Sequence, residues 1–78
     1  MRPFHFSQHA LEKIRERGIL LEWIGRVIHD RSRVEVGYGG RPSILGQVPE
    51  FGGRWLRVVL SRDQRTVVTA YFDWGVER

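Results

Sequence analysis

The opening segment carries a histidine and two cations at spacings that suit acid–base chemistry beside a phosphate. His9, Lys13 and Arg17 follow one another at intervals of four residues, so in a helix they share one flank. An imidazole takes up or releases a proton near neutral pH, and the two cations can hold an anion. His9 is therefore a candidate general base or acid. The alternative is a solvated histidine near a helix start.

Two segments near the C-terminus, Arg54 to Ser61 and Thr66 to Asp73, are rich in β-branched and aromatic residues. Residues 62–65 form a turn sequence between them, so we predict an antiparallel hairpin. One register points six apolar side chains to a single face, toward the helices, whereas a shift of one residue mixes the two faces. The pairs in that register are Leu56 with Phe72, Val58 with Ala70, and Leu60 with Val68.

The opposite face of this hairpin combines a cation, a hydroxyl group and aromatic rings. Its residues are Trp55, Arg57, Val59, Thr69 and Tyr71. Arg57 interrupts an otherwise apolar strand, so its charge requires a partner, which is either a carboxylate or a phosphate. Trp55 and Tyr71 suit base stacking. The alternative for Trp55 is that it covers an edge of the sheet.

The sequence predicts neither a metal site nor a cofactor. His5 and His9 have a spacing that suits a metal on one helix, but Ser7 is the expected N-cap, which leaves His5 outside the helix. No acidic residue stands at a matching position, and the chain has no cysteine. The glycine-rich segment 37–40 fits no phosphate-binding loop and is interpreted as a turn.

Two N-terminal helices position the first set of residues. Ser7 suits the N-cap of a helix over Gln8 to Arg17, and Gly18 suits the left-handed residue that ends it. An apolar stripe at helical spacing predicts a second helix that ends near residues 29–30. Gly25 within this helix costs about 1 kcal/mol relative to alanine, and close packing against the sheet is the expected justification. The stripe consists of Leu20, Trp23, Ile24, Val27 and Ile28.

Two further segments, Arg33 to Val36 and Ser43 to Val48, are predicted strands, with turns over residues 37–42 and 49–53. Helices followed by hairpin-forming strands indicate an α+β architecture. We therefore predict a single domain over residues 1–78, in which two N-terminal helices pack on one face of a four-stranded antiparallel sheet.

The composition favours a polyanionic partner inside the cell. The net charge is +4, and the positive residues are twelve arginines and one lysine. Arginine presents a planar fork of donors to phosphate, although GC-rich coding DNA also enriches it. No apolar run approaches the about 20 residues of a membrane span, and residues 1–7 lack a secretory signal. The expectation is a cytoplasmic protein with no membrane partner.

Three stretches resemble the DUF4258 family of short bacterial proteins. His9-Ala10 followed by Arg15-Glu16-Arg17-Gly18-Ile19 is similar to its N-terminal signature. Residues 54–59 and 67–71 look like its basic penultimate strand and its final strand, whereas residues 34–53 match only in having strands and glycines. The family is grouped with compact ribonuclease-like toxins of the RelE and barnase-like fold. The resemblance therefore implies two helices on an antiparallel sheet and an active face at that sheet.

The resemblance also gives the candidate residues their roles. By position, His9 matches the family's helical histidine, Arg17 the arginine before the glycine, and Arg57 the cation of the penultimate strand. Thr69 matches the threonine of the final strand. One departure is that the second helix starts with Leu20-Leu21, where relatives tend to have a polar cap.

The leading hypothesis is a metal-independent endoribonuclease of bacterial toxin type that forms a 2′,3′-cyclic phosphate. The reaction needs a base for the 2′-hydroxyl, cations for the developing charge and an acid for the leaving oxygen. His9 would be the base or acid, and Arg57 and Arg17 would hold the phosphate. Thr69 would donate to a phosphate oxygen, and Tyr71 would carry a proton or stack on a base. The residues assigned to substrate binding are Lys13, Arg17 and Trp55.

Two other hypotheses stay open. One is a non-catalytic nucleic-acid-binding module that uses the same face, with an affinity that falls steeply with salt. The other is a partner-binding component of a toxin–antitoxin pair, since toxins of this kind usually travel with an acidic neutralising protein. RNA and an acidic antitoxin-like protein are therefore the expected partners. The sequence leaves the oligomeric state open.

Overall fold

A computed structural model describes residues 4–76 of the chain. It shows an α+β fold with two helices and a five-stranded mixed sheet in the order β1-β5-β4-β3-β2. The helices are α1 (Gln8–Glu16) and α2 (Leu21–Asp30). The strands are β1 (His5–Phe6), β2 (Arg33–Val36), β3 (Pro42–Val48), β4 (Arg54–Leu60) and β5 (Thr66–Phe72).

Helix α1 begins and ends at the residues that the sequence predicts, to within one position. The Ser7 hydroxyl accepts a hydrogen bond of 3.0 Å from the Ala10 N–H, so it satisfies a free amide of the first turn. Arg17 is the C-cap residue, and Gly18 follows with a φ of 67°. Glycine adopts this left-handed conformation without a steric cost, which ends the helix and turns the chain toward α2.

Helix α2 buries its apolar stripe without a side-chain cap at its start. Its N-cap residue, Leu20, makes no capping hydrogen bond, and the helix ends at Arg31, which is left-handed with a φ of 47°. The packing predicted for Gly25 is wrong, because a Cβ atom placed there would meet nothing within 4 Å. The close approach occurs at Gly46 of β3, where such a Cβ atom would lie 3.1 Å from Cγ2 of Val27.

The sheet has one strand more than the four-stranded antiparallel sheet predicted from the sequence. Strand β1 pairs in parallel with β5, with His5 opposite Thr66 and Phe6 opposite Val67. The other neighbouring strands are antiparallel. The prediction missed β1 because a strand of two residues is too short to show an alternating pattern. Because β1 directly precedes α1, the pairing of β1 with β5 makes α1 start beside the first residues of β5.

The predicted hairpin is present, with a change at its closed end. Leu56 faces Phe72 and Val58 faces Ala70, as predicted. The register then shifts between Val59 and Leu60, so the third predicted pair is wrong: Leu60 faces Val67, not Val68. A β-bulge inserts one extra residue in this way, and it brings Val67 into the core, where it is fully buried.

The core lies between the two helices and one face of the sheet. Helix α1 packs on β5, and α2 packs on β3 and β4. The buried core residues of the strands include Ile44, Leu56, Val58 and Ala70. Because neighbouring residues of a strand point to opposite faces, the residues between them lie on a face without helices. Neither helix within residues 4–76 is long and apolar enough to cross a membrane.

Candidate nucleic-acid interface

The helix-free face of the sheet gathers most of the strand residues that the sequence singles out. One row of cross-strand partners runs from β2 to β5 through Arg33, Leu45, Arg57 and Tyr71. Leu45 is fully buried although it belongs to this face. Its burial fits a cover formed by the aliphatic parts of the two neighbouring arginines, since long cationic side chains lie along apolar surface.

Arg57 is held by two carboxylates. Its Nε donates to Oδ2 of Asp73 at 2.8 Å, and its Nη1 donates to Oε1 of Glu35 at 3.1 Å. The Arg57 side chain is only 15% exposed, whereas that of Glu35 is 42% exposed. The partner that the charge of Arg57 requires is therefore supplied from within the chain. The guanidinium assigned to a scissile phosphate has two of its donors engaged.

The pKa values of this group follow from the same contacts. The pKa of Asp73 is below its usual range because the Gly75 N–H and then the Arg57 guanidinium donate to the ionised carboxylate. Burial by itself lowers the pKa of Arg57, but the hydrogen bonds and charges of Asp73 and Glu35 outweigh burial, so that pKa is raised. Arg57 and Asp73 therefore stabilise each other in their charged forms.

A shallow cavity of about 470 Å³ lies over this group on the helix-free face. It is lined by Arg33, Glu35, Arg57, Asp73, Gly75 and Val76. Two cations and two carboxylates line the same space, and Arg33 also lies 3.9 Å from Oε2 of Glu35. The cavity is therefore close to neutral, which makes it a poor site for a phosphate.

A second group of the predicted residues meets at the edge of β5. Nη1 of Arg17 donates to the carbonyl oxygen of Ala70 at 2.9 Å and to the hydroxyl of Thr69 at 3.3 Å. Its guanidinium carbon lies 5.9 Å from the ring centroid of Tyr71, within cation–π distance. Its hydrogen-bond acceptors here are neutral, and no carboxylate of residues 4–76 forms an ion pair with it, so within this part of the chain Arg17 keeps an uncompensated positive charge beside an aromatic ring.

His9 and Lys13 lie on the same helix as Arg17 but outside this contact group. His9 is exposed, and it makes none of the hydrogen bonds or ion pairs found among residues 4–76. It precedes Arg17 by eight residues, which is about 12 Å along a helix axis. Lys13 forms an exposed ion pair of 3.3 Å with Glu16. The structure thus brings Arg17, Thr69 and Tyr71 together, while His9 and Arg57 are in separate places.

The tryptophans of this region are each paired with an arginine. The Arg33 guanidinium carbon lies 5.1 Å from the Trp55 ring centroid, and that of Arg54 lies 3.9 Å from the Trp74 ring centroid. The indole nitrogen of Trp55 is buried and has no hydrogen-bond partner within the described chain. Trp55 is half-buried on the helix-free face, whereas Trp74 is exposed.

The two carboxylates that hold Arg57, those of Glu35 and Asp73, were not predicted from the sequence. Glu35 lies on the predicted strand β2, and strand alternation puts it on the same face as Arg57 only once the order of the strands is known. Asp73 directly follows β5, where the Asp73 N–H still donates to the Trp55 carbonyl at 2.9 Å. One signal was present in the sequence. Asp73 stands at the end of a predicted strand, and that strand was expected to pair with the strand that carries Arg57.

Metal binding has no visible support in the described part of the chain. Among residues 4–76, no group of three or more histidine, aspartate and glutamate side chains is arranged to hold an ion. His5 lies in β1 and His9 in α1, as their positions around the Ser7 cap require.

Comparison with known proteins yields a family without an assigned function. No curated protein and no solved structure matches the chain. The sequence profile of DUF4258, a domain of unknown function, matches residues 6–72. The match extends from β1 to the end of β5 and so includes both helices and the whole sheet. The chain therefore belongs to the DUF4258 family.

Proposed function

We propose that this protein binds single-stranded RNA at the edge of β5 and on the adjoining helix-free face. The observation that carries the proposal is the Arg17 contact group. An exposed guanidinium is fixed by the neutral acceptors Thr69 and Ala70, next to the half-buried ring of Tyr71. An uncompensated arginine can pair with a phosphate, and an aromatic ring on an open sheet face can stack on a base.

The charge distribution supports binding more than cleavage. The mechanism expected from the family resemblance needs Arg57 at the scissile phosphate, yet Asp73 and Glu35 already neutralise that guanidinium. A phosphate placed there would approach two carboxylates, which is unfavourable at short range. Arg17 carries no such neighbour among its hydrogen-bond acceptors.

The test is fluorescence anisotropy with a labelled single-stranded RNA of mixed sequence at low salt. We expect Arg17→Gln to weaken binding by about tenfold, which corresponds to about 1.4 kcal/mol. Tyr71→Leu keeps an apolar side chain but removes the stacking surface, and we expect a loss of about fivefold, within the range of one base–aromatic contact.

Arg15→Gln is the matched control, because Arg15 is an exposed arginine two residues before Arg17 and loses the same formal charge. Equal losses for Arg15→Gln and Arg17→Gln would show that only net charge matters and would contradict the proposed site. Circular dichroism of each variant establishes that the fold is retained.

Endoribonuclease activity is the second candidate, and one observation favours it. Helix α1 starts where the Ser7 N–H bonds the Val67 carbonyl and ends where Arg17 bonds Ala70, so its His9–Lys13–Arg17 flank follows the edge of β5. An RNA strand held by Arg17 could thus reach an imidazole that takes the 2′-hydroxyl proton.

The cleavage test incubates structured RNA with the protein in the presence of a chelator. A ribonuclease of this kind cuts RNA but not the all-deoxy strand, leaves a 2′,3′-cyclic phosphate, and loses most of its rate in His9→Ala. If the RNA stays intact at protein concentrations that saturate binding, endoribonuclease activity is excluded and only the binding function remains. An unchanged rate in His9→Ala would exclude His9 as the base or acid.

A further inference from the structure

One end of the sheet contains a second, more basic cavity. The loop between β2 and β3 and the turn between β4 and β5 lie at this end, because both connect antiparallel neighbours there. Between them is a cavity of about 400 Å³ lined by Gly39, Arg41, Ser61, Arg62 and Val68. The proposed RNA-binding site and the Arg57 group use none of these residues.

The backbone of the loop fixes one of the two arginines. Nε of Arg62 donates to the carbonyl oxygen of Gly39 at 2.8 Å. Gly39 and Gly40 both have a φ of 74°, a conformation that residues with a Cβ atom rarely adopt. The pair of glycines therefore shapes the loop so that it receives Arg62. None of the hydrogen bonds found within residues 4–76 uses the two terminal nitrogens of Arg62.

The positive charge in this cavity has no counterion within residues 4–76. Among the described residues, no carboxylate lies within ion-pair distance of Arg41 or Arg62. The acid of the turn, Asp63, accepts from the Ser61 hydroxyl at 2.6 Å and from the Arg65 N–H at 3.1 Å. Asp63 is thus engaged by the turn itself. This arrangement is the reverse of the Arg57 cavity, where two carboxylates line the space.

We propose that the Arg41–Arg62 cavity binds a phosphate group. Two guanidinium groups facing one space suit the several oxygens and the negative charge of a phosphate. If RNA supplies this phosphate, the inference rests on the proposed function. The phosphate is then either the terminal monoester of the strand or a diester of its backbone. Val68 lines the cavity three residues before Tyr71 on β5, about 10 Å along a strand. One RNA strand can therefore reach both sites.

The first experiment uses inorganic phosphate and does not depend on RNA. In ¹H–¹⁵N spectra of the protein, we expect saturable shifts of the Arg62 Nε–H signal and of the backbone amides of residues 37–41 and 61–66. Arg41→Gln removes no hydrogen bond found within residues 4–76, so it should keep the fold and weaken phosphate binding at least fivefold. Arg15→Gln should bind phosphate like the native protein.

The proposal is overturned if these signals do not saturate, or if Arg41→Gln and Arg15→Gln bind phosphate equally. Arg62→Lys is the second variant, since it keeps the charge but loses the planar fork and the bond to Gly39. We expect it to weaken phosphate binding several-fold, and unchanged binding would contradict the assigned geometry.

The second experiment identifies the source by comparing 5′-phosphorylated with 5′-hydroxyl RNA of the same sequence. Tighter binding of the phosphorylated strand, lost in Arg41→Gln, assigns the cavity to the terminal monoester. If the native protein binds the two strands with equal affinity and Arg41→Gln binds both more weakly, the cavity is assigned to a backbone phosphate. If the native protein binds the two strands with equal affinity and Arg41→Gln does not change that affinity, the cavity is not an RNA contact. If inorganic phosphate shifts the protein signals as expected but the protein does not bind RNA, the proposed function is refuted and the phosphate site is retained.

Discussion

At the scale of single residues, Arg57 is a structural cation. Its guanidinium joins Glu35 on β2 to Asp73 after β5, and its partner in the register with β3 is the buried Leu45. A half-buried charge shared by two carboxylates stabilises the native arrangement because removal of one partner leaves the others without compensation. Its environment therefore accounts for an arginine in the middle of an apolar strand without requiring a ligand.

We expect Arg57→Gln to lower the free energy of unfolding by about 1–3 kcal/mol, because two carboxylates would face each other without their shared cation. Urea denaturation followed by circular dichroism measures the change. Arg54→Gln, which removes an exposed arginine from the same strand, is the control and should have a clearly smaller effect. Equal midpoints for native protein and Arg57→Gln would contradict the structural role.

The depressed pKa of Asp73 predicts acid sensitivity. Because the folded state binds this proton less tightly than the unfolded state, the stabilisation is complete above the unfolded-state pKa of about 4 and is lost as the pH falls through the lower folded-state pKa. We expect the unfolding free energy to be nearly constant between about pH 7 and pH 5 and to fall below about pH 4.

The same measurement on Asp73→Asn checks the assignment. This variant should be less stable than the native protein at neutral pH but should lose less stability on acidification, since it has no carboxylate to protonate at this position. Glu50 and Asp63, whose pKa values are also lowered, remain unchanged in the comparison. Parallel curves for the two proteins would show that Asp73 does not contribute to the acid response.

At the scale of elements, the packing of α2 on the sheet depends on one small residue. Gly46 of β3 faces the buried Val27 of α2, and its missing side chain lets the helix approach. Gly25 lies in α2 itself, yet the space around its Cα atom is open. Close packing therefore requires a glycine at position 46 but not at position 25.

Substitution by alanine should have opposite effects at these two glycines. Gly25→Ala should raise the unfolding free energy by about 0.5–1 kcal/mol, because alanine favours the helix and meets no neighbour. Gly46→Ala should lower it by about 1 kcal/mol, because the new methyl group presses on the stiff, β-branched Val27. Thermal denaturation of both variants tests the pair, and a stabilising Gly46→Ala would disprove the close-packing argument.

At the scale of the whole molecule, the excess charge is distributed unevenly. The centre of the helix-free face is nearly neutral because carboxylates accompany its arginines. Within residues 4–76, guanidinium groups without a carboxylate partner lie instead along β5: Arg17 at its middle, beside Thr69 and Ala70, and the Arg41–Arg62 cavity near its start. A polyanion is thus attracted to the edge formed by β5 and to the end of the sheet near the cavity more than to the centre of the helix-free face.

This distribution predicts the salt dependence of RNA binding. If Arg17, Arg41 and Arg62 each neutralise one phosphate, the logarithm of the association constant should fall with the logarithm of salt concentration with a slope of about −2, from about −0.7 per contact on a single strand. Arg17→Gln should reduce this slope by about 0.7, whereas Arg15→Gln should leave it unchanged. A slope near zero in the native protein would exclude these phosphate contacts.

Local signals determined the elements of this molecule. The Ser7 cap, the left-handed Gly18 and the apolar stripe of α2 each depend on neighbouring residues only, so the helices were predictable from the sequence. The same holds for the β4–β5 hairpin, since Leu56 and Phe72 can share a face in few registers.

Only the tertiary structure decided what happens between distant segments. The parallel pairing of β1, the bulge that moves Val67 into the core, and the carboxylates around Arg57 all depend on the strand order. The sequence alone required a partner for the charge of Arg57, but it left open whether that partner was a phosphate or a carboxylate. The physical reason is that burial and pairing of a charge depend on through-space neighbours, and the partners of Arg57 come from β2 and from the residue directly after β5, far from it in the sequence.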